Sequence, residues 1–133
     1  MNLSGDRGVR IYGALNRSRQ AILATECEAA DSGWERMKGL LGRSKEDFSP
    51  GKGLWLVPAS SIHTIGMSFP IDVAYLDRAG RVIHLYHRLP PLRVAAIKFK
   101  SHSILELPAG TLAKTRTEIG DILEFRKVAE VEV

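Results

Sequence analysis

The stretch "IDVAYLDRAGRVIHLYH", residues 71–87, constrains the fold of this chain more than any other. Its two arms are rich in Ile, Val, Leu and Tyr, the residues that suit a pleated surface. Between them Asp77, Arg78, Ala79 and Gly80 make a turn, with Gly80 suited to a left-handed backbone. The spacing predicts a hairpin of two strands. In the first arm Ile71, Val73 and Tyr75 share one face while Asp72, Ala74 and Leu76 share the other. Both faces are apolar, so this arm reads as an interior strand with Asp72 as its polar exception. An isolated buried carboxylate is prohibitively costly, so Asp72 is expected to be buried and paired. Arg36, Arg43, His63 and Thr64 are the partners the sequence offers.

The rest of the chain reads in the same idiom. "QAILATECEAA" favours a strand, with Cys27 packed in it as a small hydrophobe. Ser32 and Glu35 form a capping-box pattern, and Trp34, Met37, Leu40 and Leu41 follow at helical spacing, so a short helix is expected there. "SKEDFSPGKG" reads as loop and "LWLVP" as a short strand closed by Pro58. "SILELPAG", "TLAKTRTEIG" and "DILEF" predict a strand, a helical turn or irregular connection closed by Gly120, and a final strand. These elements make a mainly β fold with one or two short helices, a compact and mostly antiparallel sandwich or partly open barrel. Residues 1–18 are weakly patterned and are expected to be mobile, leaving 19–133 as one β-rich domain.

With 133 residues, 44% of them hydrophobic and 26% charged, one core is expected. No apolar run approaches the roughly 20 residues that span a bilayer, and the opening residues lack a signal-peptide segment, so no membrane partner is expected. A lone cysteine excludes an internal disulfide framework and suggests a cytoplasmic setting. The net charge of +4 is unevenly placed. Residues 81–105 hold Arg81, Arg88, Arg93, Lys98 and Lys100 and no acidic side chain, which leaves 14 basic residues elsewhere against all 15 acidic ones. Pro90 and Pro91 force part of this segment out of regular structure. Alternation in "IKFKS" then predicts Ile97 and Phe99 facing inward and Lys98 and Lys100 outward. Arg88, Arg93, Lys98 and Lys100 become a candidate patch for an anionic ligand or a weakly bound polyanion.

Three functional readings follow. The first is a non-catalytic binding module with its site between His63 and Pro70 and at the start of the strand at 71–77, using Arg36, Arg43, His63, Thr64 and Asp72. The second is an enzyme in which His63 and Asp72 move protons, which requires both to reach one solvent-accessible pocket. The third is a nucleic-acid or polyanion binder working through residues 81–105, which needs Tyr86 or Phe99 exposed for stacking. His84 and His87 stand three apart, an odd offset that sends strand side chains to opposite faces, so no metal site is expected. Walker, dinucleotide and serine-hydrolase motifs are absent, and no cofactor is expected.

The motifs "RMKGLLGR", "GLWLVP", "IHTIGMSFPIDVAYLD", "LELPAG" and "GDILEF", in this order over residues 20–126, resemble the bacterial and archaeal family called domain of unknown function 192. The resemblance implies a small β-rich domain, often a stand-alone protein and sometimes preceded by an export signal. It brings no established activity, cofactor or catalytic residue. Many relatives have "WMKNT" where this chain has "HTIGM", so whatever that Lys and Asn do is not carried over.

Overall fold

The computed structural model describes residues 9–30 and 43–131. Seven strands form one mixed sheet: β1 (Val9–Asn16), β2 (Ala21–Ala30), β3 (Gly51–Leu56), β4 (Ile71–Leu76), β5 (Val82–Leu89), β6 (Ser103–Pro108) and β7 (Leu123–Val131). Their order is β5-β4-β6-β3-β2-β1-β7. Every neighbouring pair is antiparallel except β2 and β3. A short helix, α1 (Thr111–Thr115), follows β6, and a single 3-10 turn at Lys45–Phe48 stands inside the stretch expected to be loop.

The expected hairpin is β4 and β5. All six residues of β4 are buried between β5 and β6, as a strand apolar on both faces requires. Gly80 takes φ 84°, and a Cβ there would sit 2.6 Å from the carbonyl oxygen of Leu123. That close approach matters because it brings the two edge strands together. Val82 N–H donates to Asp121 O at 2.8 Å, and Leu123 N–H donates to Gly80 O at 2.8 Å. The sheet therefore curls until β5 and β7 touch at their first residues, without closing along their length.

Curling divides the apolar residues into two clusters. The concave one holds Ala14, Cys27, Ala74, Leu76, Leu105, Leu107 and, from α1, Leu112. Trp55 on β3 stacks on Phe125 of β7 with ring centroids 3.8 Å apart, a contact between strands that are not neighbours in the sheet. Burial pushes the Cys27 thiol up to about 12, in keeping with a packed hydrophobe. The second cluster lies on the opposite face, where Leu54, Leu56, Val73, Tyr75 and Ile104 are covered by Phe48, Met67, Phe69 and Ala95 from the connections.

One expectation changes and another is left untested. Residues 9–16 belong to the sheet as β1, paired with both β2 and β7, whereas they were expected to be mobile. Register shifts around Tyr12 and Ala14 break the alternation that would have announced the strand, and its most deeply buried side chains are small or polar, Ala14 and Asn16. The helix expected from Ser32 onward lies outside the described residues, as does Arg36.

Candidate functional site

Asp72 is fully buried, and its carboxylate is matched by backbone amides rather than by a cation or a neighbouring hydroxyl. Oδ1 accepts Arg88 N–H at 2.9 Å, while Oδ2 accepts Gly110 N–H at 3.0 Å and Leu112 N–H at 2.8 Å. Charge-assisted bonds to amide donors satisfy a carboxylate well, so Asp72 ties β4 to β5 and to the start of α1. The bond to Arg88 exists because β5 bulges there: Ile71 pairs Leu89 while Val73 already pairs Tyr86, and Arg88 adopts φ 53°. Gly110, at φ 98°, leaves room for the Arg88 guanidinium, whose Nη2 would lie 3.2 Å from a Cβ. Among the described residues, then, the expected partners Arg43, His63 and Thr64 are not those of Asp72. Arg43 instead presents its carbonyl to the Ser68 hydroxyl.

His63 and Asp72 do not converge. Asp72 shares its side of β4 with Ala74 and Leu76 of the concave cluster, whereas the connection carrying His63 packs Ile62, Met67 and Phe69 onto the opposite face. His63 itself is exposed and bridges Val94. The pocket that the proton-transfer reading demands is therefore not formed by this pair. A shallow open depression of about 350 Å³ beside Leu15, Ile22 and Arg126 includes no candidate residue. Among the described residues no three His, Cys, Asp or Glu side chains gather to hold a metal ion.

What does come together is a crossover of two connections, residues 60–65 and 91–101, laid over the second apolar cluster. Thr64 is its buried pin: its hydroxyl donates to Pro90 O at 2.7 Å and accepts Arg93 N–H at 2.9 Å, and its amide donates to Arg93 O at 2.8 Å. Ala95 N–H donates to Ile62 O and Lys98 N–H to Ser60 O, both at 2.9 Å. From beneath, the Tyr75 hydroxyl donates to Ala96 O at 2.6 Å and Ala96 N–H donates to the Tyr86 hydroxyl at 2.9 Å. Both polar groups of one peptide residue are thus held by the sheet. Burial in this layer raises the Tyr75 phenol to about 12 and lowers the nearby His84, which Lys98 lowers further by its charge.

This bracing turns the outer residues to solvent, against expectation for two of them. Phe99, at the tip of a turn closed by Ser101 N–H to Lys98 O, is 92% exposed, and Val94 and Leu92 are 74% and 71% exposed. Ile97 and Ile65 are exposed as well. Ile97 and Phe99 were expected inward because "IKFKS" was read as a strand. Instead Ala95 supplies the inward contact, and the turn after it lifts Phe99 off the surface. Leu92 is held at φ 63°, a conformation that a branched side chain rarely takes. Arg93 and Lys100 are exposed beside this ridge and Lys98 is half-buried. Arg88 is exposed too, but its guanidinium lies against Gly110, on the side of β4 that carries Asp72, and Arg81, at the other end of β5 near residues 98–102, turns its guanidinium to Gly120 O at 3.2 Å. Tyr86 is partly buried, so Phe99 alone of the two aromatics is free to stack.

One buried group was not anticipated. Glu106, mid-strand in β6, pairs with Leu54 on one side and Val73 on the other, and burial raises its carboxyl to about 8. The Glu in "LELPAG" alternates with apolar neighbours as an outward residue would. Only the cover laid over that face makes it interior.

Fold and ridge together define a class: a small, partly open β barrel whose long connections form an exposed, basic and apolar crossover. The match to the model of the family described as DUF192, "Uncharacterized ACR", runs over residues 14–125, and the chain belongs to that family. Among solved structures it is similar to a protein of unknown function from Novosphingobium aromaticivorans, with 19% identity, a TM-score of 0.74, and coverage of 93% of this chain and 89% of that one. It is also similar to a proposed transcription regulator from Sinorhizobium meliloti, with 22% identity, a TM-score of 0.69, and coverage of 94% and 98%. At these identities the likeness is one of fold. No curated protein matches the chain.

Proposed function

We propose that this protein is a non-catalytic binding module whose contact surface is the crossover at residues 60–65 and 91–101, and that its partner is anionic. The observation that carries this reading is Phe99, 92% exposed at the tip of a turn between Lys98 and Lys100. Phe99 does not stand alone, since Ile65, Leu92, Val94 and Ile97 on the same two connections are exposed too, and a group of exposed apolar side chains marks an interaction surface where a single one would not. The hydrogen bonds that anchor Thr64 and Ala96 support the reading further, because a preorganised surface loses little freedom on binding. Among the described residues no helix is long and apolar enough to cross a membrane. A lone buried thiol suits a reducing compartment, and we assign the protein to the cytoplasm on that basis.

Titration of labelled heparin into the full chain tests the charge component. Affinity should fall steeply as salt rises, because the gain comes from released counterions. The double variant Lys98→Glu/Lys100→Glu should lose binding and keep its unfolding midpoint. Binding that ignores salt or survives the reversal places the site elsewhere.

A further inference from the structure

The anionic partner can be narrowed by asking what the ridge displays besides charge. Four of its five exposed apolar side chains, Ile65, Leu92, Val94 and Ile97, are aliphatic, and only Phe99 is aromatic. Single-stranded nucleic acid is held by aromatic platforms on which bases stack, and aliphatic side chains offer it little. A second copy of the chain fits no better. A twofold contact through this patch would bring Arg93, Lys98 and Lys100 of one copy against those of the other, across a segment without an acidic residue. A bilayer of anionic phospholipid meets both demands at once, since headgroup phosphates take the cations and the acyl boundary takes the aliphatic and aromatic side chains.

Geometry agrees with chemistry. Between the left-handed Leu92 and the turn at Phe99, residues 93–98 run alongside 60–64, joined by Thr64 N–H to Arg93 O, Ala95 N–H to Ile62 O and Lys98 N–H to Ser60 O, so several side chains are laid along one surface. Leu92 is held in an unfavourable left-handed conformation by its neighbours on Thr64, and it faces water there. The half-buried stem of Lys98 and the exposed Lys100 flank Phe99, the arrangement in which an inserted ring sits below two headgroup-level ammonium ions.

We infer that the crossover is a peripheral membrane-contact surface that binds anionic phospholipid bilayers, with the Phe99 turn as its point of insertion. This rests on the binding-module reading above and names the partner of that same surface. The sequence argued against a membrane because it held no spanning run and no signal-peptide segment; surface contact needs neither, only that Ile97 and Phe99 point out.

Co-sedimentation of the full chain with vesicles tests it, using phosphatidylcholine alone and phosphatidylcholine with about one third phosphatidylglycerol. Binding is expected to the anionic vesicles only. Phe99→Ser should weaken it by at least ~10-fold, and Leu92→Ser should weaken it measurably, without change in the circular dichroism or the urea midpoint of either variant. Phe99→Trp should bind and shift its emission to shorter wavelength on the anionic vesicles. Vesicle binding unaffected by Phe99→Ser, with no emission shift, overturns the inference in favour of bare charge adhesion. Absence of vesicle binding with retained, salt-sensitive heparin or poly(U) binding also overturns it while the binding-module reading stands. Failure with vesicles, heparin and poly(U) alike overturns both.

Discussion

Glu106→Gln should remove a pH dependence of stability that the wild-type fold carries in the centre of β6. The carboxyl lies between Leu54 and Val73, where desolvation raises it from an ordinary value near 4.5 to about 8. Between those values the folded chain keeps a proton that the unfolded chain has released, so the unfolded state binds fewer protons and stability falls as pH rises. The contribution is complete below pH 4.5 and gone above about 8. At about 1.4 kcal/mol per pH unit, roughly 5 kcal/mol disappears across that window, a large part of the stability of a domain this size. Gln has the same shape and no charge to lose. Urea titrations of both proteins at several pH values from 5 to 8, followed by circular dichroism, should give a falling wild-type curve and a flatter variant curve. The two should cross, with the variant the more stable protein at the alkaline end. Parallel curves would refute the reasoning and mean that Glu106 is ionised and solvated in the fold.

Other perturbations have equally definite outcomes. Asp72→Ala strands the amides of Arg88, Gly110 and Leu112 in a dry site and should cost about 3 to 5 kcal/mol in urea unfolding, whereas an unchanged midpoint would show that water takes over those donors. Gly80→Ala places a Cβ 2.6 Å from Leu123 O in a left-handed turn and should cost about 2 kcal/mol or more; amide exchange should speed first at Val82 and Leu123, where β5 and β7 meet. An Ala there with native stability would mean that the contact between the two edge strands is dispensable.

Some of this protein is legible in its residues because local physics determines it. The β4–β5 hairpin, its left-handed Gly80, the strands at β2, β3, β6 and β7, and the burial of Asp72 all follow from alternation and turn chemistry within a few residues. Tertiary structure decided the rest, and in each case the cause is a partner remote in sequence. Tyr75 and Tyr86 grip the backbone of Ala96 from 21 and 10 residues away, which settles that Ile97 and Phe99 face water. Asp72 draws its donors from residues 16 to 40 positions on, and no local pattern records which amides those are. Alternation assigns a side chain to a face, but whether that face is covered depends on where the connections fall. The same period of two therefore hides Glu106 inside the protein, while the departure from it after Ala95 sets Phe99 in water.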